Sequence, residues 1–186
     1  MTAAVRDLWL LRHAKSSWDE PGLADIDRPL AERGIRAAAA MASYMAGSLG
    51  GSWAGADIRP RLVLCSSGLR ARQTLSAVLP SLGTELDIWV RPDLYTFDAD
   101  MLLRHLQGLD DDLSSVMLVG HNPALHQLAL MLCSRGDGLA RLRSKFPTGA
   151  LVAIRFPGSW SALGEVRGEL TNFVTPRDLM GETRDG

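Results

Sequence analysis

The chain has few cysteines and almost no net charge, and each shortage excludes a class of protein. Only two of its 186 residues are cysteine, which argues against a disulfide-stapled secreted scaffold. Cys65 and Cys133 both lie in apolar runs, so we expect two buried free thiols rather than a disulfide. The net charge of −1 offers no global basic excess for nucleic acid and no acidic excess that would favour disorder.

Long hydrophobic runs are also missing. No apolar stretch approaches the ~20 residues that a membrane-spanning helix needs. The N-terminal segment MTAAVRDLWLLRH lacks the basic start and long apolar core of a signal peptide. We therefore predict a cytoplasmic protein with no nucleic-acid or membrane partner. The length suits one domain, which we place at 1–175, followed by a polar tail at 176–186.

Short apolar runs alternate with helical stretches along the chain. Runs rich in branched residues predict buried strands at 8–11, 61–66, 116–121 and 150–156, with a weaker strand at 86–91 and a final antiparallel edge strand at 164–173. Helical periodicity predicts helices at 29–49, 67–82, 98–109 and 122–133. This alternation indicates a three-layer α/β/α fold in which helices cover both faces of a mostly parallel central sheet.

Residues suited to helix ends mark two of these predicted helices. Pro29 suits a first turn, and Gly50 and Gly51 follow the last periodic residue of the same helix. Asn122 and Pro123 read as a helix cap and a first helical residue.

Side chains that can carry positive charge follow the predicted strands at their carboxyl ends. Arg12 and His13 end the first strand, Arg70 lies in the helical turn after the strand at 61–66, and His121 follows the strand at 116–119. In open α/β sheets, ligands bind beyond the carboxyl ends of the strands. We therefore expect these four side chains to meet in one place, where the helix starts at 67 and 122 add backbone N–H groups that suit an anion.

Phosphoryl transfer fits this set of residues. The transferred group spreads negative charge over three oxygens and needs fixed cations aimed at them, and the guanidinium forks of Arg12 and Arg70 can supply these. A neutral imidazole can act as the nucleophile, and neighbouring arginines disfavour its protonated form. This scheme requires no cofactor and no metal. His121 and His126 are five residues apart and would not share a helix face, and no common zinc motif is present.

Other residues near these segments have more than one interpretation. Lys15, Ser16 and Ser17 either touch phosphate or only shape the loop. Asp27 and Arg28 suit a loop ion pair or a helix-entry device better than a substrate contact. His105 and His126 fall on predicted helices, where we expect them to be surface residues or hydrogen-bonded core residues.

A cysteine phosphatase is the main competing interpretation. The segment CSSGLR begins with Cys65 and resembles a loop in which a thiolate and an arginine enclose phosphate. Such loops place five residues between the two. Here four residues separate Cys65 from Arg70 and six separate it from Arg72. A cradle of backbone N–H groups tolerates such a change poorly, so we give this interpretation little weight.

Three segments together resemble the histidine phosphatase superfamily. LLRHAKSSW is similar to its Arg-His signature, SSGLRARQT to its Ser-x-x-x-Arg-Ala-x-Gln-Thr segment and VGHNP to its second-histidine motif. The longer pattern, through DRPLAERG and FPTGAL, is closer to the small bacterial phosphohistidine-phosphatase branch. The resemblance spans about 7–156 and implies a phosphoglycerate-mutase-like fold. It makes His13 the phosphorylated nucleophile and assigns the phosphate pocket to Arg12, Arg70 and His121, with Lys15 as a weaker substrate contact; Arg72 lies where the family varies.

One departure from the family bears on the substrate. Many relatives are expected to carry a glutamate proton donor near the segment PDLYTFDAD (92–100), which here contains only Asp93, Asp98 and Asp100. An alkoxide leaving group needs that proton, whereas an imidazole leaving group needs it less. The resemblance therefore implies a phosphatase for phosphohistidine in proteins. A phosphatase of small phosphate esters and a phospho-ligand binding module with little turnover stay open as alternatives.

Overall fold

A single sheet organises the computed structural model, which describes residues 4–49 and 59–181. Within those residues the strand order is β3-β2-β4-β1-β6-β7-β5. The strands are Val5–Arg12 (β1), Leu62–Ser66 (β2), Asp87–Arg91 (β3), Ser115–Gly120 (β4), Cys133–Arg135 (β5), Leu151–Pro157 (β6) and Gly168–Val174 (β7).

Helices cover both faces of this sheet. They are Glu32–Leu49 (α1), Leu69–Val78 (α2), Ala99–Gln107 (α3), Ala124–Leu132 (α4), Leu139–Ser144 (α5) and Pro176–Met180 (α6). Along β1, Leu8 and Leu10 pack into the core with α3 and α4, whereas Trp9 and Leu11 pack into the core with α1 and α2. This alternation follows from the two-residue period of a strand. The three-layer α/β/α prediction is confirmed.

The sheet is mostly parallel, as predicted. Strands β1 to β4 pair in parallel with one another, whereas β6 runs antiparallel to both β1 and β7. The prediction of an antiparallel strand near the end of the chain is confirmed by β7. Its predicted edge position is wrong, because the short strand β5 pairs with the outer side of β7. The sequence pattern had merged the start of β5 into the preceding helix.

The predicted helix starts need correction at two places. Helix α1 begins at Glu32 rather than at Pro29, because Leu30 is still extended and pairs with Ser16. The Asn122–Pro123 peptide is cis, and α4 begins only at Ala124. Asn122 does not cap the helix; its side-chain amide donates to the Phe146 carbonyl oxygen at 3.0 Å. Gly50 and Gly51, predicted to follow α1, lie outside the described residues.

The beginning of the predicted polar tail is ordered structure. Thr175 and Asp178 form a reciprocal capping box at the start of α6. Asp178 also pairs with Arg141 of α5 at 2.8 Å, and α6 packs against α1. Residues 176–180 therefore belong structurally with the rest of the chain, while 182–186 lie outside the described residues.

Two predictions from composition can be compared with the described residues. Cys65 and Cys133 are both buried and free, as predicted. Within residues 4–49 and 59–181, no helix has the length and apolar character needed to span a bilayer.

Candidate active site

The carboxyl ends of β1 and β4 bring the two predicted histidines together. These strands are parallel neighbours, with Arg12 opposite Gly120 in the register. The pairing continues one residue further, where the His13 N–H donates to the Gly120 carbonyl oxygen at 3.0 Å. His121 follows directly, so the two imidazole ring centroids lie 4.9 Å apart. The sheet register therefore builds the predicted histidine pair.

Arg70 reaches the same place from the first turn of α2. Its Nε donates to His13 Nε2 at 3.4 Å, and only 5% of the residue is exposed. Thr74, one turn later, accepts from the Ala14 N–H at 3.0 Å and donates to the Arg70 carbonyl oxygen. The helix is thereby fastened to the loop that follows β1, which fixes the guanidinium against His13.

The hydrogen bonds of His13 determine which ring nitrogen is free to react. Its Nδ1 lies 2.7 Å from the Ala14 carbonyl oxygen. A carbonyl oxygen only accepts, so Nδ1 carries the proton and the lone pair is on Nε2. The Arg70 N–H that points at Nε2 is consistent with this tautomer. His13 thus presents an unprotonated ring nitrogen toward Arg70.

His121 is held by a serine at the end of β2. Ser66 Oγ lies 2.7 Å from His121 Nε2 and also accepts from the Gly68 N–H at 3.3 Å. Among the described residues the Ser66 hydroxyl proton has no acceptor other than His121 Nε2, and donating to it assigns the imidazole proton to Nδ1. This Nδ1 is buried without a hydrogen-bond partner among the described residues. A bound oxyanion would satisfy it.

Both imidazoles are kept neutral by their surroundings. Burial, with smaller effects from the Arg70 and Arg12 charges, lowers the pKa of His13 to about 4. Burial and the proximity of His13 and Arg70 lower the pKa of His121 to about 3. His13 is 8% exposed and His121 is 1% exposed, so little water is available to stabilise a charge. Both pKa values lie below the ordinary value of histidine, which is consistent with the predicted neutral imidazole at His13.

Arg12 approaches the site from the last position of β1. Its Nη1 donates to the Phe146 carbonyl oxygen at 2.7 Å, while its Nε is buried without a partner in the described part of the chain. Burial and the neighbouring Arg70 charge lower the pKa of Arg12. The Gly149 N–H donates to the carbonyl oxygens of both Arg12 and His13, which pins the strand end. Arg12, His13, Arg70 and His121 therefore lie close enough for their charges to act on one another.

Sequence reasoning missed two residues of this site, Asp25 and Tyr95. Asp25 accepts from Arg70 Nη2 at 2.8 Å and from the Tyr95 hydroxyl, and the Tyr95 ring lies 5.0 Å from the His121 ring. The hydrogen bond from Tyr95, followed by that from Arg70, lowers the pKa of Asp25. Arg28 forms a loop ion pair, as predicted, but its partner is Asp25, at 3.7 Å, rather than Asp27. The only sequence features that could have indicated these two residues are the segments DIDRPL, which begins with Asp25, and LY, which ends with Tyr95.

The three aspartates considered as proton donors lie away from the histidine pair. Asp93 pairs with Arg91 at 2.6 Å and approaches His105 at 3.5 Å, and the hydrogen bond from Arg91 lowers its pKa. Asp98 caps α3 by accepting from the N–H groups of Asp100 and Met101. Asp100 is exposed on α3 and lines a shallow cavity against α4. None of them contacts His13 or His121 among the described residues.

The remaining residues singled out from the sequence lie around or away from the pair. Lys15 is exposed beside Arg12, and Ser16 and Ser17 shape the loop through backbone contacts with Leu30 and Pro29. His126 lies 2.6 Å from the Leu142 carbonyl oxygen. Arg72 is exposed on α2. No cluster of His, Cys, Asp or Glu suited to a metal ion occurs within the described ranges.

The geometry does not support the competing cysteine interpretation. Cys65 is fully buried in β2, and its thiol donates to the Ser66 carbonyl oxygen at 3.3 Å. Burial raises the pKa of this thiol to about 12, so a thiolate nucleophile is not available near neutral pH.

The fold and these contacts define a class: an α/β protein whose strand ends hold two neutral imidazoles between arginines. A model of the histidine phosphatase superfamily (branch 1) matches residues 8–102, just over half of the chain. The chain belongs to the histidine phosphatase superfamily.

Relatives and solved structures cover nearly the whole chain. An uncharacterized protein of Mycobacterium leprae is 33% identical over 90% of this chain and 100% of its own length. A protein from Agrobacterium tumefaciens, provisionally assigned as the phosphohistidine phosphatase SixA, is 30% identical with a TM-score of 0.73 over 92% of this chain and 98% of its own. Its counterpart from Nakamurella multipartitia is 28% identical, with a TM-score of 0.76 over 95% and 99%.

Proposed function

We propose that this protein is a phosphatase that hydrolyses phosphohistidine in proteins through a phosphohistidine intermediate on His13. The observation that carries the proposal is the contact between Arg70 Nε and His13 Nε2, with the second imidazole 4.9 Å away by ring centroids. A neutral, hydrogen-bonded nucleophile between fixed cations is what in-line phosphoryl transfer requires. The similarity to proteins assigned as SixA supports the substrate class.

The reaction proceeds in two displacements. In the first, the His13 Nε2 lone pair forms a bond to phosphorus as the bond from phosphorus to the substrate imidazole breaks and its electron pair goes to the leaving nitrogen. In the second, a water oxygen attacks the phosphorus atom as the bond from phosphorus to His13 Nε2 breaks and its electron pair returns to Nε2, and the water proton goes to the phosphate product or to solvent. Arg12, Arg70 and the His121 Nδ1–H stabilise the phosphoryl oxygens in both steps.

The engaged aspartates support an activated leaving group. Asp93 and Asp98 have other partners, and the pKa of Asp25 is lowered by Tyr95 and Arg70, so Asp25 is ionised near neutral pH. An alkoxide would leave such a site slowly, because no carboxylic acid among the described residues is positioned to protonate it. An imidazole can leave already protonated on its other nitrogen.

The test compares phosphate release from a phosphohistidine peptide and from para-nitrophenyl phosphate, with a chelator present. We expect a strong preference for the peptide in kcat/KM. His13→Ala should abolish turnover of both substrates, and Cys65→Ser should retain it. Equal or faster hydrolysis of the ester would contradict the substrate assignment and favour small phosphate esters.

A second set of outcomes tests the enzyme assignment itself. Tight phosphate binding without turnover of either substrate would favour the phospho-ligand binding module. Activity that survives His13→Ala and is lost in Cys65→Ser would overturn the nucleophile assignment. Activity that needs an added divalent cation would contradict the metal-free scheme.

A further inference from the structure

A cavity of about 780 Å³ opens beside the phosphoryl site and is strongly basic. It lies at the same end of the sheet as the histidine pair. Strands β1 and β7 terminate at that end, and the antiparallel strand β6 begins there. Arg12 belongs both to its wall and to the residues around His13, so the cavity adjoins the histidine pair. Seven ionisable side chains line it: Arg12, Lys15, Arg33, Arg141, Lys145, Arg177 and Asp178.

The single carboxylate in this basic cavity does not neutralise it. Asp178 is already bound to Arg141 at 2.8 Å and to Thr175 in the helix cap. Within residues 4–49 and 59–181, the side chains of Lys15, Lys145 and Arg177 make no hydrogen bond or ion pair. These three unpaired cations lie around one carboxylate in a chain whose net charge is −1. The positive potential is therefore concentrated at the mouth of the site.

A second large cavity provides an internal comparison. It measures about 820 Å³ and is lined at the opposite edge of the sheet by Arg59, Arg61, Arg155, Asp7 and Glu85. There the charges are paired: Arg155 binds Asp7 at 2.9 Å and Arg61 approaches Glu85 at 3.5 Å. The excess of cations is thus a feature of the basic cavity next to the histidines, rather than of cavities in this protein generally.

We propose that the basic cavity binds an acidic segment of the phosphorylated protein substrate while its phosphohistidine occupies the His13 site. The inference rests on the proposed function. The cations come from the β1 loop, α1, α5 and its following loop, and α6, so they are spread to meet several carboxylates along a chain. Apart from the half-buried Arg12 they are exposed, unlike the buried Arg70 that contacts His13. Phe173, Pro147 and Met180 supply apolar wall against which a peptide backbone can lie.

The test uses two short fluorescent peptides that contain an unphosphorylated histidine. One carries Asp and Glu beside the histidine, and the other carries Asn and Gln at the same positions. Binding to the His13→Ala protein is measured by anisotropy, so no turnover is involved. Several exposed ion pairs together give an expected preference of about tenfold for the acidic peptide. The preference should shrink as salt is raised.

Two double variants with the same change in charge separate the cavity from the general surface. Lys145→Gln with Arg177→Gln removes two cations that line it and have no other role in the described structure. Arg36→Gln with Arg143→Gln removes two exposed cations on α1 and α5 outside it. We expect the first pair to lower the acidic preference about threefold or more and the second pair to leave it unchanged.

Three results would overturn the inference. The first is equal binding of the acidic and the amide peptide. The second is an equal loss of the acidic preference in the two double variants. The third is that both peptides bind alike while the protein binds a bisphosphorylated sugar more tightly than its monophosphate, and the Lys145→Gln, Arg177→Gln variant loses that difference. The last would assign the cavity to a second anion of a small substrate. The peptides are unphosphorylated, so this test does not depend on hydrolysis. If the protein prefers the acidic peptide but does not hydrolyse phosphohistidine, the cavity proposal is supported and the proposed function is rejected.

Discussion

At the scale of single residues, Ser66 sets the proton position on His121. The two atoms Ser66 Oγ and His121 Nε2 are 2.7 Å apart, and both residues are buried. We predict that Ser66→Ala releases the ring to adopt the other tautomer and lowers kcat by about tenfold or more, since one oriented donor to the transition state is lost. KM should change less than kcat.

The control for Ser66→Ala is another buried strand serine. Ser115 donates to the Arg59 carbonyl oxygen at 2.6 Å, at the opposite end of the sheet from the histidines. Ser115→Ala removes a comparable hydrogen bond and should leave kcat unchanged. ¹⁵N chemical shifts of the His121 ring report the tautomer directly. An unaltered tautomer in Ser66→Ala, or an equal loss of kcat in both variants, would reject this role.

The neutrality of His13 predicts an unusual pH response. Its pKa of about 4 lies below the ordinary value of 6.5, so the lone pair on Nε2 is available at every pH above about 4. Protonation removes that lone pair. The part of the pH dependence of kcat/KM that is due to His13 should therefore be flat from pH 8 to pH 5 and should fall near pH 4. The His13 ring proton resonance, followed by NMR, measures the same titration without substrate. A midpoint near 6.5 would contradict the burial argument.

At the scale of elements, α1 holds the loop after His13 through a close backbone contact. A Cβ built on Gly34 would lie 2.1 Å from the Lys15 carbonyl oxygen, whereas one built on Gly47 of the same helix meets nothing within 4 Å. Gly34→Ala must therefore move either the helix or the loop that follows β1. We predict lower activity and a loss of about 1–3 kcal/mol in the free energy of unfolding, the usual cost of overpacking.

Gly47→Ala is the matched substitution for Gly34→Ala. It should raise the free energy of unfolding by about 0.5–1 kcal/mol through helix propensity alone and leave activity unchanged. Urea unfolding of the two variants, together with phosphate release, measures both effects. Stabilisation by Gly34→Ala with full activity would show that the close contact does not constrain the loop.

The elements also show which parts of the fold and site a single sequence can predict. Strand β1 and its Arg12-His13 ending were predictable because an apolar run ended abruptly at cations. The edge position assigned to β7 was wrong, since β5 is only three residues long and carries no periodicity of its own. Asp25 was missed because its role depends on Arg70 and Tyr95, which lie 45 and 70 residues away along the chain. Contacts of that range follow from the tertiary arrangement.

At the scale of the whole molecule, keeping two buried imidazoles neutral links folding to pH. The pKa values of His13 and His121 are about 4 and about 3 in the folded protein, against 6.5 for an unperturbed histidine. Between these limits the unfolded chain binds more protons than the folded one, so their contribution to stability is present above pH 6.5 and is lost as pH falls toward 4 and 3. The melting temperature should therefore fall on acidification through this window, and less steeply in a His121→Gln variant.

Buried cations and buried N–H groups without hydrogen-bond partners predict that a bound oxyanion raises the free energy of unfolding of the whole protein. The His121 Nδ1 and Arg12 Nε lack partners in the described structure, and a bound phosphate or tungstate would supply them. An anion at about 100 times its Kd should add about 2.7 kcal/mol to the free energy of unfolding. Arg70→Ala should remove most of that gain, because Arg70 is the buried cation in contact with His13. Arg72→Ala, an exposed cation on the same helix, should retain it. Calorimetric melting curves with and without tungstate decide the matter: an equal gain in all three proteins would mean that the anion binds elsewhere.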